Sequence, residues 1–355
     1  MSASERIVFI SGAAEPWGAE HSLRLLAPAL RDHGFRVEIW CSSPETARFL
    51  RATGVPVRQL VAEGGRLRRV RAFARLIRRE RPACVVVFSL HLLPVLALGG
   101  RRARSATRFV LDLHDVPKNP MDAVLVRLLG RSLTGLVAIS EFVREWAARI
   151  PVPTRVVPRP ISPVDAAPVP STDFRVGVVG RVDPEKNIEL AIRMVADMPE
   201  NVRLRVYGRS HLGDGSHLRE LQDLADSLAP GRVDFPGQVP QDEVYSNIDV
   251  LLVANPNEPS GRTVGEAMIA GIPVVTPDRG GSREYYRPGE SGLSYSSGDW
   301  NAARAAVDLL RTSPETYRRI ALAARSQVEA ERSPESVGDG YAQAVRELAF
   351  PAGRR

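Results

Sequence analysis

Residues 249–276 read DVLLVANPNEPSGRTVGEAMIAGIPVVT. DVLLVANP is an apolar, β-branched run with its exit, and NEPSG is a Pro/Gly loop. RTVGEAMIAG has helical character and is stopped by Gly271 and Pro273; IPVVT is a second short apolar run. Continuous apolar strands separated by helices are the pattern of a parallel sheet covered on both faces. The pattern recurs along the chain, as RIVFI, RVEIW, CVVVF, RFVLDL and LVAI in the first half, then FRVGVVG and LRVYG in the second. The fold class is α/β, with one parallel sheet in each half.

Between the halves lies VPRPISPVDAAPVPSTD, residues 157–173, rich in Pro and without strand or helix periodicity, as a linker should be. This predicts one domain over 1–160 and another over 161–333. The last segment, 334–355, contains the helical PESVGDGYAQAVRELAF. It either completes the second domain or crosses back to the first. Open parallel sheets take ligands beyond the carboxyl ends of their strands, so the motifs that matter should lie in loops that follow strands.

Composition narrows the class. With 355 residues, 44% hydrophobic and 25% charged, the chain can build two ordinary cores. Its two cysteines, Cys41 and Cys84, argue against a disulfide framework or a zinc site. The start, MSASERIVFI, lacks the apolar region of a secretory signal, and no apolar run reaches the roughly 18 residues of a membrane span. The expectation is a cytoplasmic protein. The net charge of +7 is unevenly spread, with 26 basic and 13 acidic side chains in residues 1–160 and 22 and 28 in the remainder. Nucleic acid is not the expected partner, because the basic total reflects an arginine-rich codon usage: Lys118 and Lys186 are the two lysines.

Glu258 stands in the NEPSG loop and Glu266 one turn into the following helix. A helix start after Gly261 exposes unpaired N–H groups at the positive end of the helix dipole. Arg262, Thr263 and Val264 would offer those groups to a diphosphate. Glu266 would then accept hydrogen bonds from a ribose, and Glu258 would face the group beyond the phosphates. The plain alternative is two solvated carboxylates near a helix start. Upstream, FRVGVVGRVDPEKN gives a strand ending at Gly180, then Arg181 and Lys186. A planar guanidinium fork and a compact ammonium suit a diphosphate leaving group.

GRVDPEK, together with NEPSGRTVGEAMIAGIPVVTPDRGGSREYY, resembles the retaining glycosyltransferases of family 4. The resemblance covers nearly the whole chain and is strongest from Phe174 to Tyr295. It implies the GT-B fold, in which two Rossmann-like domains face each other across a cleft. It also implies that Arg181 and Lys186 bind the diphosphate, Glu266 the ribose and Glu258 the transferred sugar. The chain departs from the family pattern twice: Ser260 replaces an aromatic residue, and Pro-Arg-Pro at 158–160 replaces Pro-Asn-Gly. No Asp-x-Asp occurs, which argues against a metal-dependent architecture.

In the first half, ISGAAEPWGAEHSL is a strand-to-helix loop with Gly12, Gly18 and Glu20. It lacks the dinucleotide-binding spacing. It resembles the family's Gly-Gly-x-Glu loop with Ala19 in the second glycine's place, which would let Gly18 approach the distal phosphate. His114 follows RFVLDL and looks like the family's Thr-x-His position, where donor sugar and acceptor meet; His91 follows CVVVFSL. With Asp115 and Lys118, His91 is expected on the acceptor side. Ser140 reads as a helix N-cap. RLRRVRAFARLIRRERP, residues 66–82, is an amphipathic helix whose arginine face is either solvated or meets an anionic membrane surface or phosphorylated acceptor.

These readings converge on transfer of a sugar from a nucleotide diphosphate sugar, UDP- or GDP-linked, to an acceptor hydroxyl on a specialised metabolite, polysaccharide or lipid-linked intermediate. No cofactor and no metal are expected. Two rivals would fit much of the sequence: a sugar-nucleotide epimerase of the same fold, and a non-catalytic protein that binds a nucleotide sugar or a lipid phosphate.

Overall fold

The computed structural model describes residues 5–60, 65–88, 90–98, 106–116, 120–166, 169, 171–210 and 215–351. The chain divides into two compact units, Met1–Pro160 with Arg332–Arg355, and Ile161–Glu331.

The first unit is built on strands β1 (Arg6–Ser11), β2 (Arg36–Cys41), β3 (Val57–Gln59), β4 (Cys84–Val87), β5 (Arg108–Leu113), β6 (Gly135–Ala138) and β7 (Thr154–Val156). They pair in parallel in the order β3-β2-β1-β4-β5-β6-β7. Side chains alternate across a strand, and the core follows that alternation. Ile7, Phe9, Cys84 and Val86 enter one apolar cluster; Val8, Ile10, Val85 and Val87 enter another on the opposite face. Each face is covered by helices, which is why these strands are apolar on both sides. The arginine-rich helix Arg66–Glu80 turns Val70, Phe73, Ala74 and Ile77 into the second cluster and leaves Arg68, Arg71 and Arg75 exposed. Ser140 caps the helix Glu141–Ala147 by accepting the Val143 N–H at 3.1 Å.

The C-terminal helix, Pro334–Ala349, packs in the first unit. Val337, Tyr341, Val345 and Leu348 join Phe9, Leu23 and Val137 in the first cluster. Sequence periodicity finds this helix but cannot say which sheet its apolar face will cover.

The second unit carries β8 (Phe174–Val179), β9 (Val202–Tyr207), β10 (Val233–Gly237), β11 (Val250–Leu252), β12 (Val274–Pro277) and β13 (Leu293–Tyr295). These are also parallel, in the order β10-β9-β8-β11-β12-β13. In both sheets the winding reverses beside the first strand, between β1 and β4 and between β8 and β11. Loops leaving the two strands at such a point diverge and leave room for a ligand.

Candidate active site

The reversal in the second unit brings together the two motifs that sequence alone kept 72 residues apart. After β8 the chain runs through Arg181 into the short turn Pro184–Lys186, and after β11 it enters the loop with Asn255 and Glu258. Lys186 Nζ donates to Glu258 Oε2 at 2.6 Å, and Asn255 Nδ2 donates to the same oxygen at 3.3 Å. Burial pushes the Glu258 carboxyl upward, but the Lys186 ammonium, the two hydrogen bonds and the Arg181 charge outweigh it, so its pKa lies below the ordinary range. Glu258 is therefore ionised at neutral pH. Arg181, 42% exposed, keeps its guanidinium 3.3 Å from Asp183 Oδ2, with room to reach a ligand.

The helix Arg262–Ile269 begins beside these groups in the chain. Gly261 caps it at φ 78°, and an added Cβ there would lie 2.8 Å from Ser282 Cα. Only glycine suits that backbone and that approach. Against the sequence expectation, the Val264 N–H does not face a ligand: it donates to the Gly261 carbonyl at 2.9 Å, because the first turn closes on its own cap. One turn in, Glu266 accepts from Arg262 Nε at 2.7 Å and from the Tyr245 hydroxyl at 2.9 Å, one bond on each carboxylate oxygen. A carboxylate oxygen has two lone pairs, so each retains acceptor capacity for a ribose hydroxyl. Tyr245 is buried, and burial, together with the neighbouring Glu266 charge, keeps its phenol pKa high, so it acts as a donor to that carboxylate.

The Glu258 loop is clamped from the side by the segment after β12. Gly281 N–H donates to the Glu258 carbonyl at 2.7 Å, and a Cβ on Gly281 would lie 2.2 Å from the Pro259 carbonyl oxygen. Ser260, where the family has an aromatic residue, places its hydroxyl 3.2 Å from the buried Tyr285 hydroxyl.

In the first unit the loop after β1 is organised by Glu20. Ser11 Oγ donates to Glu20 Oε1 at 2.8 Å and Trp17 N–H to Oε2 at 3.1 Å, while burial raises the carboxyl pKa. Gly18 opens the helix Gly18–Asp32 and is exposed. His114 follows β5 with its ring edge-on to Phe88, 4.3 Å between centroids. Its Nδ1 lies 3.3 Å from Arg159 Nη2, which also pairs with Asp112. The remaining Asp112 oxygen accepts from the Tyr341 hydroxyl at 2.5 Å. Burial, with Arg159 adding and Asp112 opposing, takes the His114 pKa down to about 4.

His91 sits in the turn Leu90–Leu92, exposed, and shares no hydrogen bond with His114 among the described residues. Asp115 is exposed beside His114 and accepts the Val116 N–H at 2.8 Å. Lys118 lies outside the described residues. Sequence reading passed over Tyr245, Asn255, Gly281, Asp112 and Tyr341. Asp112 and Asn255 flank motif residues and had a signal in their position. Tyr245 and Tyr341 come from distant helices and had none.

Residues 165–327 match the family Glycosyl transferases group 1, and residues 18–161 match the Glycosyl transferase 4-like domain. The chain belongs to glycosyltransferase family 4. Among curated relatives, a GDP-mannose-dependent alpha-mannosyltransferase of Mycobacterium tuberculosis is 29% identical over 173 residues, 48% of this chain and 43% of that protein. Its counterpart in Mycolicibacterium smegmatis is 34% identical over 164 residues, 45% of this chain and 40% of that protein. The match thus spans about two fifths of these relatives. Among solved structures, Anabaena HepE in complex with UDP and glucose superposes with a TM-score of 0.83 at 20% identity, covering 96% of this chain and 99% of that one. Sucrose-phosphate synthase from Thermosynechococcus elongatus gives 0.81 at 21% identity, covering 97% and 99%. At those identities the likeness is one of fold, and the fold is GT-B. No helix of the described residues is long and apolar enough to cross a membrane. Nor is any group of three or more His, Cys, Asp or Glu among them placed to hold a metal.

Proposed function

We propose that the chain is a retaining, metal-independent glycosyltransferase that moves a sugar from a UDP- or GDP-linked donor to an acceptor hydroxyl. The observation that carries this reading is the Lys186–Glu258 pair at the β8/β11 reversal, close in sequence to the start of the Arg262–Ile269 helix and to Glu266. The reading draws further support from a relative named as GDP-mannose-dependent and a fold neighbour bound to UDP and glucose.

Each residue has a distinct task. Arg181, Lys186 and the N–H groups of Arg262 and Thr263 meet the diphosphate, and their attraction grows as the leaving group gains charge. Glu266, held by Tyr245, accepts from the ribose. Glu258 orients the sugar. Gly18 lets backbone approach the distal phosphate. His114 contacts the sugar and acceptor, and His91, Asp115 and Lys118 are assigned to the acceptor. The acceptor oxygen bonds to the anomeric carbon on the face from which the phosphate oxygen departs. The acceptor proton passes to that phosphate, so no side chain is needed as base and no glycosyl-enzyme forms. The acceptor is a small metabolite, a glycan or a lipid-linked sugar. The arginine face of the Arg66–Glu80 helix meets an anionic membrane surface.

Calorimetric titration with UDP and GDP, with ADP and dTDP as comparisons, tests the donor site. Binding in the micromolar range to one base, weakened in Arg181→Ala and Glu266→Ala, is the expected result. No binding to any of the four overturns the reading. Turnover of a nucleotide sugar with no acceptor would instead identify an epimerase, and binding without turnover a carrier.

A further inference from the structure

Pro-Arg-Pro at 158–160 departs from the family pattern, and the structure shows where the unusual arginine goes. Arg159 is 3% exposed. Its guanidinium lies beside the rings of Phe88 and Tyr341, 5.8 and 5.9 Å from their centroids, and pairs with Asp112, which Tyr341 holds from its other oxygen. A planar fork held by two rings and a carboxylate has little freedom to move. Nη2 carries two hydrogens. One is directed to Asp112 and the other faces His114 Nδ1 at 3.3 Å.

Arginine donates and never accepts. His114 Nδ1 must therefore be the acceptor, and the single proton of the neutral ring must sit on Nε2. The second neighbour agrees: Nε2 is 3.5 Å from Asp112 Oδ1, a carboxylate that would repel a lone pair placed there. A proton added to Nδ1 would oppose the Arg159 N–H. Nε2 is itself buried and has no hydrogen-bond partner among the described residues, so its proton is unclaimed.

We propose that Arg159 is a positioning residue that locks His114 in the neutral Nε2–H tautomer, so that Nδ1 is engaged and the ring never serves as the base for the acceptor. The inference rests on the proposed role of His114 in ligand contact. It assigns a task to the residue that departs from the family pattern, and it fits a reaction whose proton leaves with the phosphate. Among the described residues the charged groups that contact the ring are Asp112 from β5 and Arg159 from the 157–160 segment; Phe88, after β4, is uncharged, and Tyr341 touches Asp112 and Arg159.

The test is ring-nitrogen NMR on the full chain labelled with 15N-histidine, the His114 signals being identified by their loss in His114→Gln. The expected wild-type spectrum is the Nε2–H tautomer at pH 7, with no titration above pH 5. Arg159→Met should mix the tautomers and raise the pKa by about one unit or more. A wild-type Nδ1–H tautomer, a wild-type titration near pH 6.5, or an Arg159→Met spectrum identical to wild type would each overturn the lock. The wild-type spectrum decides the tautomer even if Arg159→Met does not fold. UDP calorimetry on the same sample separates the two claims: a locked ring with no nucleotide binding refutes the transferase reading and leaves the lock standing.

Discussion

Lys186 Nζ lies 2.6 Å from Glu258 Oε2, and this contact, with the Asn187 side-chain amide donating to the Ala254 carbonyl at 3.4 Å, ties the loop after β8 to the loop after β11. Each group stabilises the other's charge, so removing one has two effects. Lys186→Met is expected to raise the Glu258 pKa, to destabilise the fold by about 1–3 kcal/mol, and to weaken UDP binding by roughly tenfold or more. Glu258→Gln should leave nucleotide affinity within a few-fold of wild type and slow transfer severely. Mass spectrometry during turnover should find no glycosylated enzyme in either form; a trapped glycosyl adduct would contradict the same-face reaction.

Gly281 sets the position of that loop from outside the site. An added methyl would lie 2.2 Å from the Pro259 carbonyl oxygen, a backbone atom that cannot move without carrying Glu258 with it. Gly281→Ala is therefore expected to weaken UDP binding and lower the melting temperature together, without touching a charged group. Unchanged calorimetry in a variant with wild-type melting would show that the clamp does not govern the loop.

Tyr245 supports Glu266 from beneath. Its buried hydroxyl donates to Glu266 Oε2 at 2.9 Å and lies 3.3 Å from the Thr263 carbonyl. Tyr245→Phe should cost about 1 kcal/mol of stability and several-fold in UDP affinity. The losses in Tyr245→Phe and Glu266→Ala should not add, because both act through one carboxylate. Full additivity would place Tyr245 outside the ribose contact.

The helix Arg66–Glu80 presents Arg68, Arg71 and Arg75 to solvent, with Leu67 55% exposed near its start. Sedimentation with anionic vesicles should capture the wild-type chain at low salt. Reversing the three arginine charges, or raising the salt, should release it. Vesicle binding indifferent to both would leave the helix as a packing element with a solvated face.

The two sheets and their inner strands were legible because those strands are covered on both faces and read as apolar runs. The edge strands β3, β7, β10 and β13, short and partly exposed, carry no such run and were not. The donor-side motifs were legible because their chemistry lies in contiguous loops: Arg181 and Lys186 in one, Glu258 through Glu266 in the other. What joins them was not. Strand order at the β8/β11 reversal brings Lys186 to Glu258, and no periodicity encodes strand order. The Asp112–Arg159–Tyr341 cluster was equally hidden, since it draws on a strand, a Pro-flanked segment and a helix 229 residues beyond the first of them. The one clue was Arg159 itself, which departs from the family pattern.

His114 should leave a signature in acid stability. Its folded pKa of about 4 lies below the ordinary histidine value of 6.5. Between these values the unfolded chain binds the proton that the folded chain refuses, so stability rises with pH across that window. The contribution is fully present above pH 6.5 and lost as pH falls towards 4, to a total of about 3 kcal/mol. Glu258, with its depressed pKa, acts in the same direction, but its loss begins below its ordinary value of 4.5. Glu20, whose buried carboxyl has a raised pKa, acts in the opposite direction but equally in both chains, so the histidine is read from the difference between wild type and a His114 variant. Urea unfolding of wild type and His114→Gln at closely spaced pH should show a shallower slope for the variant from pH 6.5 down towards 4, and parallel curves only below that window. Equal slopes above pH 5 would mean that the folded chain protonates His114 as readily as the unfolded one.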